Sequence, residues 1–219
     1  PCEPASSSTG GLDSCRKPVK YRDGGGKDLC APYGLASALH DLGARGNQGN
    51  DLGAHIAKRA PKLAKARGKG SGGNDKDAVT ACVDEMRNAG WPVTESFTER
   101  GSFSPTKSVS RNPTLVQLTE QHAVATGEDD DGKWVFDSNE EHALPLTHES
   151  LSRCMGEGRV YTSGSAVRAY RFAPGKKARA ATKRNLEACA ASAAPTENAC
   201  PNSPSKKARA DVAPLATKA

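Results

Sequence analysis

Aromatic residues are scarce in this 219-residue chain, at 5%, with two Trp and two Met, and hydrophobic residues reach only 36%. A core built from such a chain is modest and relies on Ala, Val and Leu. No apolar run is long enough for a signal peptide or a membrane span, so the expected setting is intracellular, nuclear or cytoplasmic, with no membrane partner. The seven cysteines (Cys2, Cys15, Cys30, Cys82, Cys154, Cys189 and Cys200) are odd in number and widely spaced. None has CxxC spacing, which argues against a structural zinc site, and a disulfide framework is normally denser. Neither a metal nor a cofactor is expected, and the cysteines are read as reduced thiols. Asn and Gln are missing altogether from residues 1–29, and no aromatic follows Phe172. The chain opens on Pro1 rather than Met, as a trimmed chain or a piece of a longer polypeptide would.

What is present in quantity is charge, and it is unevenly placed. Residues 174–219 hold nine Lys/Arg against three acids, leaving 22 of each sign in 1–173. The whole net charge of +6 therefore belongs to the C-terminal segment. Three regions follow: a Ser/Gly-rich flexible lead-in over 1–26, a folded domain over 27–173, and a basic disordered tail over 174–219.

Within the domain, apolar spacing predicts helices first and strands later, an α+β order. A helix starts at Cys30, with Ala31, Leu35, Ala38, Leu39 and Leu42 on one stripe, Pro32 tolerated in the first turn and Gly43 as the stop. A second helix is expected from Asp51 to Ala60, then an exposed loop from Pro61 to Gly73. Val79, Cys82, Val83 and Met86 recur at i, i+3, i+4, i+7 in a helix over Asp75 to Ala89, which makes Cys82 a core residue; Cys154 is read the same way. Strands are expected at Trp91 to Phe97, Thr114 to Leu118, His122 to Thr126, Lys133 to Asp137 and Ala166 to Phe172, with a short helix at His148 to Met155. The turn Asp129-Asp130-Asp131-Gly132 sets a hairpin in which paired positions sum to 261. His122 then faces Asn139, Val124 faces Asp137, and alternation puts all four on one face.

Cys30, in Lys27-Asp28-Leu29-Cys30-Ala31, stands where a polar Gly-rich loop enters a helix. A thiol is a poor nucleophile near neutral pH until something favours the thiolate. A helix N-terminus helps, an imidazole within reach takes the proton, and an acid or amide behind it holds the ring. His122 is the candidate base and Asp137 the candidate orienting residue, with Asn139 as the alternative. The oxyanion would be met by the Cys30 backbone N–H and a further donor, for which Asp28, Asp23 or a backbone amide of Gly24-Gly25-Gly26 are the candidates. The acidic turn Glu128 to Asp131 is read as solvated, and His40, His55, His142 and His148 as surface residues.

The segment Asp28-Leu29-Cys30-Ala31 with its following helix, and His122 fifteen residues before Asp137, resemble the papain-like cysteine peptidase superfamily. The likeness is closest to compact deubiquitinase-like branches such as the Josephin domain. Val135-Phe136-Asp137-Ser138 also resembles the aspartate strand of SUMO-specific proteases, whose chain order differs. The resemblance spans roughly residues 25–172. It implies a papain-like fold and hydrolysis of peptide or isopeptide bonds through a Cys-His-Asp triad. Its implied substrates are polypeptides, either ubiquitin-like modifiers or a polyprotein of a mobile element or virus. In one respect the chain departs from it: such families commonly carry a Gln, Asn or Asp a few residues before the cysteine, and only aspartates are available here.

The C-terminal segment carries a near-repeat, Pro174-Gly175-Lys176-Lys177-Ala178-Arg179-Ala180 and Pro204-Ser205-Lys206-Lys207-Ala208-Arg209-Ala210, with Lys183-Arg184 after the first copy. It resembles nuclear-import signals or an arm drawn to nucleic acid. Contact of that kind would be electrostatic, weak and salt-sensitive, since no aromatic is there to stack on bases. The alternative function is thus a catalytically decayed peptidase-like module held on nucleic acid by its basic segment.

Overall fold

A computed structural model describes residues 17–23, 28–65, 77–105 and 110–193, with the backbone alone of 68–69 and 75–76. The described residues form an α+β domain whose main sheet has six antiparallel strands. In chain order the elements are α1 (Cys30–Asp41), α2 (Leu52–Ala64), β1 (Gly68–Lys69), β2 (Asp75–Lys76), α3 (Ala78–Asn88), β3 (Val93–Phe97), β4 (Thr114–Gln117), β5 (Ala123–Asp129), β6 (Gly132–Phe136), β7 (Leu144–Pro145), α4 (His148–Met155), β8 (Arg168–Phe172) and α5 (Lys176–Ala193). The sheet runs β3-β8-β4-β5-β6-β7, and β1 and β2 make a separate two-residue ladder.

The hairpin register follows the turn. Glu128 pairs with Lys133 and Ala125 with Phe136, so paired positions sum to 261 as expected. Each strand then sends alternate residues to opposite sides. Leu115, Ala123, Ala125 and Phe136 pack with Leu35, Leu39, Ile56, Val79 and Met86, the apolar stripes of α1, α2 and α3. Val116, Val124 and Val135 pack instead with Leu151, Cys154, Phe103 and Tyr161 on the α4 side.

Helix α1 comes close to the strands at Gly34, which carries no side chain. A Cβ on Gly34 would stand 2.9 Å from the carbonyl oxygen of Phe136, and one on Gly53 would stand 2.6 Å from that of Ala36. Both obstacles are backbone, so neither can yield cheaply. Asp51 and Asp77 cap α2 and α3 through their side chains. Glu85, on α3, ties these helices together, its carboxylate accepting from His55 at 2.6 Å and Arg59 at 3.1 Å, both on α2.

Three expectations need correction. Helix α2 continues to Ala64 through Pro61, so the first part of the predicted loop is helical. Leu63 and Ala64 continue the buried stripe, and this burial outweighs the one backbone bond a proline removes.

The lead-in over 1–26 is not flexible throughout, because 17–23 runs beside the segment after β6. Val19 N donates to Glu141 O, Ala143 N to Lys17 O and Asp23 N to Ser138 O, each at 2.8–2.9 Å. The hydroxyl of Ser37 on α1 accepts from Tyr21 N at 3.0 Å, so this strap joins the α1 helix to the end of β6.

Residues 174–193, assigned to a disordered tail, are largely the helix α5. Ala178 and Ala181 are buried, Thr182 Oγ1 accepts from Arg45 N at 3.0 Å, and Asn185 Oδ1 accepts from Arg45 Nη2 at 2.5 Å. Two small apolar residues among many cations are enough to seat a helix whose charges remain outside. Residues 194–219, and with them Lys206, Lys207 and Arg209, lie outside the described residues.

Candidate active site

Cys30 is the first residue of α1, and its local backbone is unusual. Asp28 has φ +63°, the left-handed region that non-glycine residues seldom enter, and this bend turns the chain sharply into the helix. Leu29 stands at the N-cap and makes no side-chain capping bond. Cys30 therefore stands at the positive end of the α1 dipole. The thiol is 8% exposed, and its sulfur lies 3.8 Å from Gln121 O, against the turn joining β4 to β5.

His122 closes that turn, with Leu118 N donating to its carbonyl at 3.0 Å. Its ring Nε2 meets Asp137 Oδ2 at 2.8 Å, with side-chain exposures of 15% and 3%. Because Nε2 is taken by the carboxylate, Nδ1 is the nitrogen left for Cys30, whose thiol is near enough to act on the imidazole. Burial pulls the imidazole pKa down, but the bond to Asp137, the neighbouring Cys30 and the charges of both outweigh it, and the pKa is pushed up to about 10. His122 is therefore held as a cation at neutral pH beside a sulfur at a helix N-terminus.

The three side chains meet at the end of the sheet. Strict alternation would send His122 and Asp137 to the α4 side with Val124 and Val135, whereas Cys30 belongs to the α1 side. His122 and Asp137 both lie one residue beyond regular pairing, before β5 and after β6. At these strand ends the side chains can reach around to where α1 begins. The shared sidedness of His122 and Asp137, inferred from the sequence, follows the observed register but does not by itself account for Cys30, which comes from the other side.

Asp137 is fixed from several directions. Its Oδ1 accepts from Asn139 N at 3.0 Å, so Asn139 serves through its backbone while its side chain is exposed. Cys154 on α4 is close enough to feel the Asp137 carboxylate; burial and that carboxylate push its thiol far up, keeping it protonated. Cys82 is fully buried in the α1-side core.

A cleft enclosing about 310 Å³, its open mouth included, lies beside the sulfur. Asp28, Cys30, Asp77, Gln117, Glu120 and His122 line it, with Ala31, Ala78, Val79, Gln121 and Ala123 between them. Of the two aspartates considered as oxyanion donors, Asp28 reaches the cleft. Asp23 is not part of its lining and sits in the strap, its N–H on Ser138 O.

Gln117, Asp77 and Cys154 were not singled out from sequence. Gln117 is 6% exposed at the end of β4, and it accepts from Arg168 Nε at 2.6 Å. Arg168 in turn pairs with Asp77 through Nη2. Burial works to raise the Asp77 pKa, but the α3 cap bond and Arg168 prevail and hold it below the usual carboxylate range. A buried amide near the histidine could have been noticed, yet nothing local marks these three residues as neighbours.

Other polar groups have structural partners. Asp129 Oδ1 accepts from Asp131 N, Gly132 N and Trp134 Nε1, and Lys17 pairs with its other oxygen, so the acidic turn is organised rather than simply solvated. Among the described residues no group of three or more His, Cys, Asp or Glu is arranged to hold a metal ion, and no helix is long and apolar enough to cross a membrane. Lys176, Lys177, Arg179, Lys183 and Arg184 are all on α5, remote in sequence from the triad, with Lys183, Arg184 and their neighbours on its exposed face. Compared with protein-family models, with curated proteins and with solved structures, the chain gives no match.

Proposed function

We propose that the protein is a thiol hydrolase of papain-like layout, acting on peptide or isopeptide bonds. The observation that carries this reading is the His122–Asp137 hydrogen bond beside Cys30, which stands at a helix N-terminus and lines one cleft with His122. Cys30 would attack the scissile carbonyl carbon as thiolate while the carbonyl π electrons move to oxygen. The Cys30 N–H and a second donor would meet that oxygen. His122, protonated at Nδ1, would then give its proton to the leaving amine as the C–N bond breaks, leaving a thioester. In the second half His122 would take a proton from water, the hydroxyl would replace sulfur, and Cys30 would return as thiolate. Asp137 holds the ring and the charge throughout.

Three carboxylates and, among the described residues, no Lys or Arg line the cleft, which favours a polypeptide substrate with a cationic residue close to the scissile bond. Ubiquitin-like conjugates and polyproteins remain the candidate classes. The test is labelling by peptidyl or ubiquitin-derived vinyl sulfones, with the adduct located by peptide mass mapping. Labelling at Cys30 that disappears in Cys30→Ala supports the reading; labelling at Cys82 or Cys154, or equal labelling of the variant, overturns it.

A second reading draws on α5, whose Lys176, Lys177, Arg179, Lys183 and Arg184 are exposed while Ala178 and Ala181 are buried. A seated helix with an outward basic face suits weak attachment to nucleic acid, and a decayed peptidase-like module would need nothing more. It expects retention on DNA or RNA at low salt that is indifferent to Cys30→Ala and falls when those five cations are neutralised.

A further inference from the structure

The N-terminal approach to Cys30 offers no amide side chain, yet one is buried in the lining of the cleft. Gln117 ends β4 directly opposite Ala123, next to His122. By alternation it shares its side of the sheet with Leu115, Ala123 and Ala125, all packed with Cys30 on the α1 side.

Its orientation is not free. Arg168 Nε is purely a donor, so the atom it meets at 2.6 Å must be the Gln117 carbonyl oxygen. Arg168 is held in turn by Asp77, which is fixed as the cap of α3. The amide NH2 therefore points the other way, where its bond is a long one, 3.5 Å to Glu120 O, beside another residue of the cleft lining. A buried amide with its acceptor end locked and its donor end weakly engaged is prepared to bind an incoming oxygen.

We propose that Gln117 supplies the side-chain donor for the oxyanion, with Arg168 and Asp77 as positioning residues. The inference rests on the thiol-hydrolase reading above. When the Cys30 thiolate adds to a carbonyl carbon, the carbonyl π pair becomes the charge on oxygen. The Gln117 NH2 and the Cys30 N–H would receive that charge together.

Two reagents separate this role from any effect on the thiol itself. Iodoacetamide alkylates sulfur by displacing iodide and develops no oxyanion. The aldehyde acetyl-Leu-Leu-argininal, whose cation suits the acidic lining, adds to the thiolate and places its oxygen in the proposed hole. In the full chain, Gln117→Glu keeps the size and an acceptor for Arg168 but removes the donors; Gln117→Leu removes both polar ends without adding charge. Expected for each is a loss of aldehyde affinity of about 100-fold or more, with the alkylation rate of Cys30 within about threefold of wild type. Unchanged aldehyde affinity, or an equal fall in both rate and affinity, overturns the role of Gln117. If wild-type protein is alkylated at Cys30 but forms no adduct with this or other peptide aldehydes, the hydrolase reading falls and this inference with it. Circular dichroism and thermal unfolding of each variant identify a fold defect, and the Gln117→Glu result then decides if Gln117→Leu proves unfolded.

Discussion

The two faces of the sheet are built for different tasks. The α1 side is a three-helix layer, with Leu35, Leu39, Ile56 and Met86 fully buried and two glycines allowing backbones to touch. The α4 side is a single short helix and a loop layer around Phe103, Leu151 and Tyr161. The thicker side delivers Cys30, while the thinner side holds the acid, with Cys154 behind Asp137. The thiol is positioned by packing and the carboxylate by hydrogen bonds, and His122 lies between them at the strand ends. Losses on the first side should thus appear as stability and losses on the second as chemistry.

The largest effect expected is at the junction itself. Cys30→Ala should abolish covalent labelling and hydrolysis, with the circular dichroism spectrum unchanged. Asp137→Asn should lower activity by ~10^4-fold, since the ring loses both its tautomer control and its counter-charge. It should also bring the His122 pKa down from about 10 toward the ordinary histidine value, measured by NMR titration of the ring. The sign follows from linkage. A pKa raised in the folded state contributes stability that is fully present below the unfolded value, about 6.5, and lost as pH rises from there to about 10. Denaturant unfolding between pH 6.5 and 10 should therefore show falling wild-type stability and a flatter profile for Asp137→Asn. A wild-type profile as flat as the variant's would contradict this.

The packing side is broken by glycine substitution. Gly34→Ala and Gly53→Ala should each cost about 1–3 kcal/mol in urea unfolding, since the new Cβ meets backbone. The pair should differ in activity per folded molecule. Gly34 touches Phe136, next to Asp137, so Gly34→Ala should also slow labelling of Cys30; Gly53 touches only α1 from behind, and Gly53→Ala should not. Equal activity in the two would weaken the contrast between packing and chemistry.

Cys154→Ala tests the thin side more gently. Losing the protonated thiol beside Asp137 should reduce turnover by roughly 3–10-fold, in line with about 1 kcal/mol for one polar contact, with little change in melting temperature; Cys154→Ser should restore it. The smallest effect is expected at Arg45→Ala, which removes the side-chain bond to Asn185 on α5 and leaves the backbone bond to Thr182. It should cost about 1 kcal/mol of stability and leave the rate of Cys30 labelling unchanged.

Legibility from sequence followed the range of the interaction. The start of α1 at Cys30, the stripe of α3 and the bounds of α4 rest on side chains a few residues apart, and each is found where its spacing predicts. So is the β5–β6 register, because one turn fixes it. The strap is different, for Val19 is buried against a segment some 120 residues later. α5 was misread because its cations dominate its composition, while the two alanines that seat it carry no distinctive signal. At the site, Cys30, His122 and Asp137 could be named from their types and order, whereas Gln117, Arg168 and Asp77 are ordinary residues on three separate elements.

By itself, then, the sequence determined which residues could do thiol chemistry and which local elements would carry them, since both depend on residue type and short spacing. Only the tertiary structure decided that α1 reaches the ends of β5 and β6, that the strap and α5 close on the domain, and that a buried amide held by Arg168 lines the same cleft as the thiol. These depend on which distant surfaces fit together, and no periodicity within a single element encodes that.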